Sequence, residues 1–563
     1  MPMPAVPEAH GPWEVQEREF FSSKGNIIVI HPGSKYLRIG RVSDLKPYAM
    51  LQAVARLRSP DAQRHEDTLL VPDVRVTKHL LSEVEDCCIE ICSLLQSCIQ
   101  SNGGHRGLTP YTKIASMNRS SQQQPESIDK SNLSYVRTVD PNQAVVGDKV
   151  VYLEPRDAYN IHFPFRRGEL NVHPGVGGSL TSVINDVEII WCYAIEKLLR
   201  IPKAELGVYK AVLVIPDIYN RQHLKELTNL LLVRLGFASC FLVQDHVCAT
   251  AGSGVPTACV IDIGDQKTSV SCVDECVSIK QSRMKMEYGG SDITQAFFWL
   301  LRRAAFPVKP CKPSDPVDAM ILTQLKEDYC HLNMDISGIR DVSVTVDRPE
   351  SMCRRYRFKL ADECIIAPLG LFFPSLFSLT ERHCETKGQP RYQHQAEDPH
   401  DMLYIRETGR RGKKEAEAGE DMAEEEEVGG DMDDFASGSD FQSDILLALD
   451  AAVLQSIERA SETLSEEVVR KLYTNILVVG GSAKIEGFST WLQNRIALKI
   501  PIEHRGEPIE VMTRVKDQDS ENTVWKGAAL FACMDAANEL WIKPKEWKRY
   551  SVKILRERAP FVW

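Results

Sequence analysis

Four short runs of aliphatic residues, each cut off by small or polar turn residues, set the strongest limit on what this chain can fold into. They are Ile27 to Ile30 before His31-Pro32-Gly33-Ser34, Ala211 to Ile215 before Pro216-Asp217, Ala258 to Ile261 before Asp262-Ile263-Gly264-Asp265, and Ile476 to Val479 before Gly480-Gly481-Ser482. A strand that is apolar at every residue is buried on both faces, which requires helices on both sides of its sheet. Such helices are visible between the runs. Leu180, Val183, Ile184, Val187, Ile190, Trp191, Ala194, Ile195 and Leu198 recur at spacings of three and four and form one apolar stripe. The alternation of strand and helix predicts an α/β fold, and the wide separation of the strand-and-loop signatures predicts two sheets.

A chain of 563 residues has room for roughly two to four domains, or for one bilobed fold carrying insertions. Residues 1–24 read as a disordered extension. Residues 25–385 and 445–563 carry the α/β pattern. Within the first part, residues 48–142 read as insertion-rich, with an amphipathic helix (Leu80, Leu81, Val84, Cys87, Cys88, Ile91) and a polar stretch, Ser116 to Ser131, that reads as a loop. Residues 386–444 hold a basic cluster (Arg410, Arg411, Lys413, Lys414) and then an acidic run. That segment has too little apolar surface to offset its chain entropy and is expected to be disordered.

The acidic run also explains the charge. The chain carries −11, and 13 Asp and Glu with no Lys or Arg fall between Glu415 and Asp444, so everything else carries +2. Acidity belongs to one segment and does not exclude contact with nucleic acid. No stretch approaches the ~20 continuous apolar residues of a membrane span, so no membrane partner is expected. The sixteen cysteines include no Cys-x-x-Cys, and Cys248, Cys259, Cys330 and Cys533 sit in apolar company, as packed thiols do. A reducing compartment follows.

Three of the four strand ends leave backbone N–H groups free to point at an anion, most often phosphate: Gly33-Ser34, Asp262-Ile263-Gly264-Asp265 and Gly480-Gly481-Ser482. Singly each is a weak signal. None fits the Walker pattern or the dinucleotide fingerprint. Taken in order, they resemble the actin, hexokinase and Hsp70 ATPase superfamily, and within it the actin-related proteins. Ile261 to Asp265 is similar to actin's second phosphate loop, Leu325-Lys326-Glu327-Asp328-Tyr329-Cys330 to its adenosine-contacting helix, and Val479-Gly480-Gly481-Ser482 with Gly487 to its adenine-side loop. Tyr288 to Asp292 and Val524 to Ala528 resemble further stretches of the same core.

A narrower resemblance is carried by Ile28 to Ser34, Tyr159 to His162, Arg166-Arg167-Gly168, Val172-His173-Pro174-Gly175, Ile215 to Asn220, Gly264 to Val270 and Leu555 to Trp563. It points to the nuclear actin-related proteins of the Ino-eighty class of ATP-dependent chromatin remodellers. The resemblance implies an actin-like two-lobed fold with insertions. It implies ATP, with magnesium, held by Gly33, Ser34, Lys35, Asp262, Ile263, Gly264, Asp265, Lys326, Glu327, Gly480, Gly481 and Ser482, and a metal reached from Asp262 through water. The partners it implies are the helix of a remodeller motor subunit, actin, actin-related protein 4, nucleosomal or linker DNA and histones H3-H4, in the nucleus, with roles in transcription, replication, DNA repair and recombination.

Departures from actin bear on mechanism. Actin's first phosphate loop begins with an acidic residue that helps hold the hydrated metal; here His31 and Pro32 stand there, and Lys35 replaces a glycine. The position of actin's water-orienting glutamine, 17 residues before Asp262, is Asp245, with Gln244 just ahead of it. These two are the candidate catalytic residues, and the site reads as degenerate: ATP bound, with weak hydrolysis at most. His31 reads first as a hydrogen-bonded strand-end residue, with a catalytic base as the alternative. Lys35 either neutralises phosphate or faces solvent. Asp262 and Asp265 suit a hydrated magnesium, or a plain turn. An active ATPase and a filament-forming cytoskeletal actin remain the alternatives to a scaffold.

Near the carboxyl end, residues 543 to 558 carry a net +5 with Trp547 and Tyr550 interleaved. That pattern is a solvated helix face, or a contact for phosphate backbone or protein through Lys548, Arg549 and Lys553. The acidic run is a solvated loop, or a surface for basic histone tails.

Overall fold

Two strands, Ile27–Pro32 and Ala258–Ile263, organise the molecule, because each begins a hairpin and each also pairs in parallel with a strand from far along the chain. The computed structural model describes residues 24–72, 77–120, 126–127, 134–137, 143–349, 351–380, 386–388, 442–443, 446–506, 508–513 and 519–561. Ile27–Pro32 runs antiparallel to Tyr36–Arg41 and parallel to Lys210–Ile215, with Val29 opposite Val212. Ala258–Ile263 runs antiparallel to Thr268–Asp274 and parallel to Ile476–Val479, with Ile261 opposite Val478. The first sheet has five strands, in the order Ser239–Gln244, Lys210–Ile215, Ile27–Pro32, Tyr36–Arg41, Tyr48–Leu51; the second has eight. One plan is thus used twice, and in each copy the hairpin turn is a glycine-bearing loop.

The strands are apolar at every residue because both faces are covered. Ile28 and Ile30 pack outward with Val183, Val187, Ile190 and Trp191 of the helix Leu180–Lys197, whose start is capped by Ser179. Val29 faces the other way, into a cluster shared by both sheets: Val212 and Val243 from the first, Val260, Leu477 and Val479 from the second. That cluster is closed by Val247 and Cys248 of the helix Asp245–Ser253 and by Val524, Trp525 and Ala528 of the helix Thr523–Cys533. The first of these helices carries the chain from one sheet to the other. Two α/β lobes therefore meet at a pair of crossing helices, as expected of an actin-like fold.

Several expected boundaries move. Tyr48–Leu51 belongs to the first sheet and Val54–Leu57 to a small sheet with Val145–Val146 and Tyr159–His162, so the 48–142 region opens with paired strands. Ser116 to Ser120 is helical, as the end of Tyr111–Ser120, and Glu126–Ser127 pairs with Arg354–Leu360; the remainder of that polar stretch lies outside the described residues. The amphipathic helix is present as Lys78–Ser97, burying Val84, Cys87, Cys88, Ile91 and Leu95. The 386–444 segment begins and ends as paired strands, Thr386–Gly388 and Gln442–Ser443, which extend the second sheet beyond Met284–Met286. Its middle, with the basic cluster and the acidic run, lies outside the described residues, as do residues 1–23. All fifteen described cysteines are free. Among the described residues no helix is long and apolar enough to cross a membrane.

Candidate functional site

The three glycine-bearing turns, separated by more than 400 residues in sequence from first to last, meet around one cavity of about 380 Å³ between the lobes. Gly33, Ser34 and Lys35 form one wall, Asp262, Gly264 and Asp265 the second, and Gly480, Gly481 and Ser482 the third. Lys326 and Glu327, on the last turn of the helix Pro316–Tyr329, stand at the remaining side. The convergence follows from the doubled plan, because each loop is the turn at the end of a central strand. Gly480 must be a glycine: its φ is +93°, and a Cβ there would lie 2.4 Å from the Ile263 carbonyl oxygen. The second loop is held from behind, where Gly290 and Ser291 donate backbone N–H groups to the Gly264 and Asp265 carbonyls at 2.9 and 2.7 Å.

A family model for actin matches residues 22–560. Actin-related protein 8 of Aedes aegypti is 46% identical over 96% of this chain and 98% of its own length, and that of Homo sapiens is 37% identical over 95% and 92%. The chain belongs to the actin family, in its actin-related protein 8 group. A solved structure of human actin-related protein Arp8 in its ATP-bound state superposes with a TM-score of 0.84 at 36% identity, covering 99% of this chain and 100% of that one.

In this actin-related protein the expected residues divide. Lys35 is buried and faces the cavity, its ammonium 4.0 Å from Asp265 and 5.3 Å from the centre of the Tyr36 ring, so the solvent-facing reading falls. Burial opposes its charge, but Asp265, Tyr36 and Glu327 together outweigh burial and raise its pKa. Lys326 reaches the Gly290 carbonyl at 3.4 Å, and burial lowers its pKa. Glu327 is exposed at the rim. Ile263 does not line the cavity: its side chain is fully buried in the second lobe's core, because it faces away from the turn.

Of the two catalytic candidates, only one lines the cavity. Gln244 is buried outside the cavity wall and donates to the Asp217 carbonyl at 3.0 Å. Asp245 does line the cavity, yet its Oδ2 accepts from the Lys267 ammonium at 2.9 Å. His31 is not hydrogen-bonded in full, since its buried Nδ1 has no partner in the structure. Burial first, then the Arg38 guanidinium, holds its pKa down to about 3, so the ring is neutral. The residues expected to hold magnesium do not fit it. His31 offers no carboxylate, Asp262 faces the Lys267 ammonium at 3.5 Å, and Asp265 faces Lys35.

Lys267 is the residue that pattern reading missed. It lies directly after the second phosphate turn and before an apolar strand, and that placement is the signal the sequence offers. The turn Arg167-Gly168 likewise has a role that its sequence does not announce. Gly168 donates its N–H to Ser34 Oγ at 2.9 Å, and Arg167 pairs with Glu287, so this turn ties the first loop to the second lobe. Toward the carboxyl end, Lys548, Arg549 and Lys553 are exposed, as a contact surface requires, but Trp547 is buried, 5% exposed, in the first lobe's core. It anchors the helix Pro544–Tyr550 and is not an exposed aromatic among the charges.

Proposed function

We propose that this actin-related protein binds ATP between its lobes and serves as a non-motor, architectural subunit of a nuclear ATP-dependent chromatin-remodelling complex. The observation that carries the ATP reading is the convergence of three backbone-rich turns and two lysines, Lys35 and Lys326, on one cavity. A relative of the same group, the human protein, is known in an ATP-bound state. Nucleotide would join the walls contributed by the two lobes and stabilise the closed form by mass action, about 2.7 kcal/mol at a hundredfold excess over Kd. The scaffold reading is favoured over an ATPase because Asp245 spends its carboxylate on Lys267 and Gln244 is turned into the protein. Turnover needs a positioned water, whereas binding needs only donors.

The partners proposed are those the resemblance implies: a helix of the remodeller motor, actin and actin-related protein 4, with Lys548, Arg549 and Lys553 offered to nucleosomal or linker DNA and the acidic run to histones H3-H4. Transcription, replication and DNA repair are the settings. Two experiments test this reading. Purified protein should melt higher with ATP and release phosphate only slowly; brisk hydrolysis without companion subunits overturns the scaffold reading. A pulldown from nuclear extract should bring actin and a remodeller motor, and their absence overturns the assembly reading.

A further inference from the structure

We propose that Lys267 is the resident cation of the cavity: its ammonium takes the place of a divalent metal ion between Asp245 and Asp262, so a nucleoside triphosphate is held there without a metal. The inference rests on the ATP reading above and concerns how that site balances charge.

The geometry is specific. Lys267 Nζ lies 2.9 Å from Asp245 Oδ2, 3.5 Å from Asp262 Oδ2 and 3.4 Å from Ser269 Oγ. An ammonium has three donors, and these three oxygens account for them. The two aspartates come from different elements, Asp245 at the start of the helix between the lobes and Asp262 at the end of a central strand, so the lysine links the hinge to the second phosphate loop. Its methylene stem is clamped: a Cβ built on Gly168 would lie 2.8 Å from Lys267 Cδ. Swinging the ammonium aside to admit an ion would break these three contacts.

Two carboxylates beside a phosphate cavity would normally suit a hydrated magnesium, a hard cation that takes oxygen ligands and keeps its waters. Here a divalent ion would have to evict a buried ammonium or sit beside it in a poorly solvated site, and either is costly. Burial works against the charge on Lys267, but Asp245 and then Asp262 outweigh it and hold its pKa above the usual lysine range, so the cation is permanent. The other cavity carboxylate of the second loop, Asp265, faces Lys35 in the same way. Each carboxylate of the phosphate end faces a lysine, Asp245 and Asp262 sharing Lys267 and Asp265 facing Lys35, and His31 adds a neutral ring where a further acid would be required.

The test is equilibrium binding of ATP to nucleotide-stripped protein, by calorimetry, once in excess magnesium and once in excess EDTA. The expected result is a Kd that changes by less than about tenfold between the two buffers. A larger weakening in EDTA overturns the proposal. No ATP binding in either buffer is a different result, since it defeats the ATP reading itself. Lys267→Met adds a second arm: its ATP affinity in EDTA should fall by about tenfold or more relative to the parent protein, with magnesium recovering part of the loss. If Lys267→Met binds ATP in EDTA as tightly as the parent, the proposal fails. Should that variant not fold, the parent comparison decides alone.

Discussion

Gly527 packs against Cys248 so closely that a Cβ placed on Gly527 would sit 1.7 Å from the Cys248 carbonyl oxygen. The contact is where the helices Thr523–Cys533 and Asp245–Ser253 cross, and its counterpart is Gly252, where a Cβ would lie 2.2 Å from the Thr523 carbonyl oxygen. Neither obstacle is a flexible side chain, so only a shift of a helix can relieve them. Overpacking of this kind costs about 1–3 kcal/mol, and backbone atoms put this site at the upper end or beyond. Gly527→Ala should therefore lower the melting temperature by several degrees, and an unchanged melt would mean the lobes can separate at this crossing without penalty.

A second link between the lobes is polar. Asp217, in the loop after Lys210–Ile215, accepts from Ser278 Oγ at 2.9 Å and faces Arg283 Nε at 3.5 Å, and all three side chains are buried. Arg283 also donates to the Ser278 hydroxyl and carbonyl at 3.0 and 2.9 Å. Asp217→Ala leaves a buried guanidinium without its counter-charge, which costs about 3–5 kcal/mol. Arg283→Met together with Asp217→Leu should lose less than either the single change at Asp217 or a change at Arg283 alone. Denaturant melts of the three variants check the order, and an additive double variant would show that the two charges do not interact.

Much of the fold was legible because burial on both faces leaves a mark along a strand. Ile476–Val479 runs as read, and Ala258–Ile263 continues only two residues past its apolar run. The three phosphate turns were legible for the same reason, since each directly follows such a strand. What was not legible depends on partners far apart in sequence. Nothing near Lys267 announces that Asp245 will lie beside it, and the interlobe pair joins Asp217 to Arg283 across two sheets. Trp547 misled because aromatic residues among lysines look alike whether the ring faces solvent or, as here, the first lobe's core. Thr386–Gly388 was hidden by its neighbours, three extended residues at the edge of a polar segment with no alternation to reveal them.

Acid should weaken the protein through histidines buried in neutral form. Burial first, then His65, lowers the pKa of His162 to about 4; burial first, then Arg340, lowers that of His331 to about 4. His162 stacks on His65, with ring centres 4.8 Å apart, and His65 on His173 at 4.5 Å; burial first, then charge on the His65 ring, lowers the pKa of His173 as well. Because the folded pKa is depressed, the unfolded chain takes up protons first. Stability is complete above about pH 6.5 and falls toward pH 4, by at most about 1.4 kcal/mol per pH unit for each ring. Denaturant midpoints from pH 7 to 4 check this, and His331→Asn should flatten the slope.

The carboxyl-terminal basic surface carries the prediction that bears most directly on assembly. Trp547 holds the helix Pro544–Tyr550 to the first lobe, which leaves Lys548 and Arg549 exposed on one side and Lys553 exposed in the turn that follows. None of the three forms an ion pair in the structure within the described residues, whereas nearby Arg558 is engaged with Glu546 at 3.5 Å. Three unpaired cations on a fixed platform can replace counterions on a phosphate backbone, each adding about 0.9 to the slope of log affinity against log salt. Changing all three to glutamate should weaken binding to a DNA duplex and reduce that slope by about 2.7. Because the surface is remote in composition from the ATP cavity and buries nothing, the same variant should keep its melting temperature and its ATP affinity. A slope that stays at the parent value would place the DNA contact on another face of the molecule.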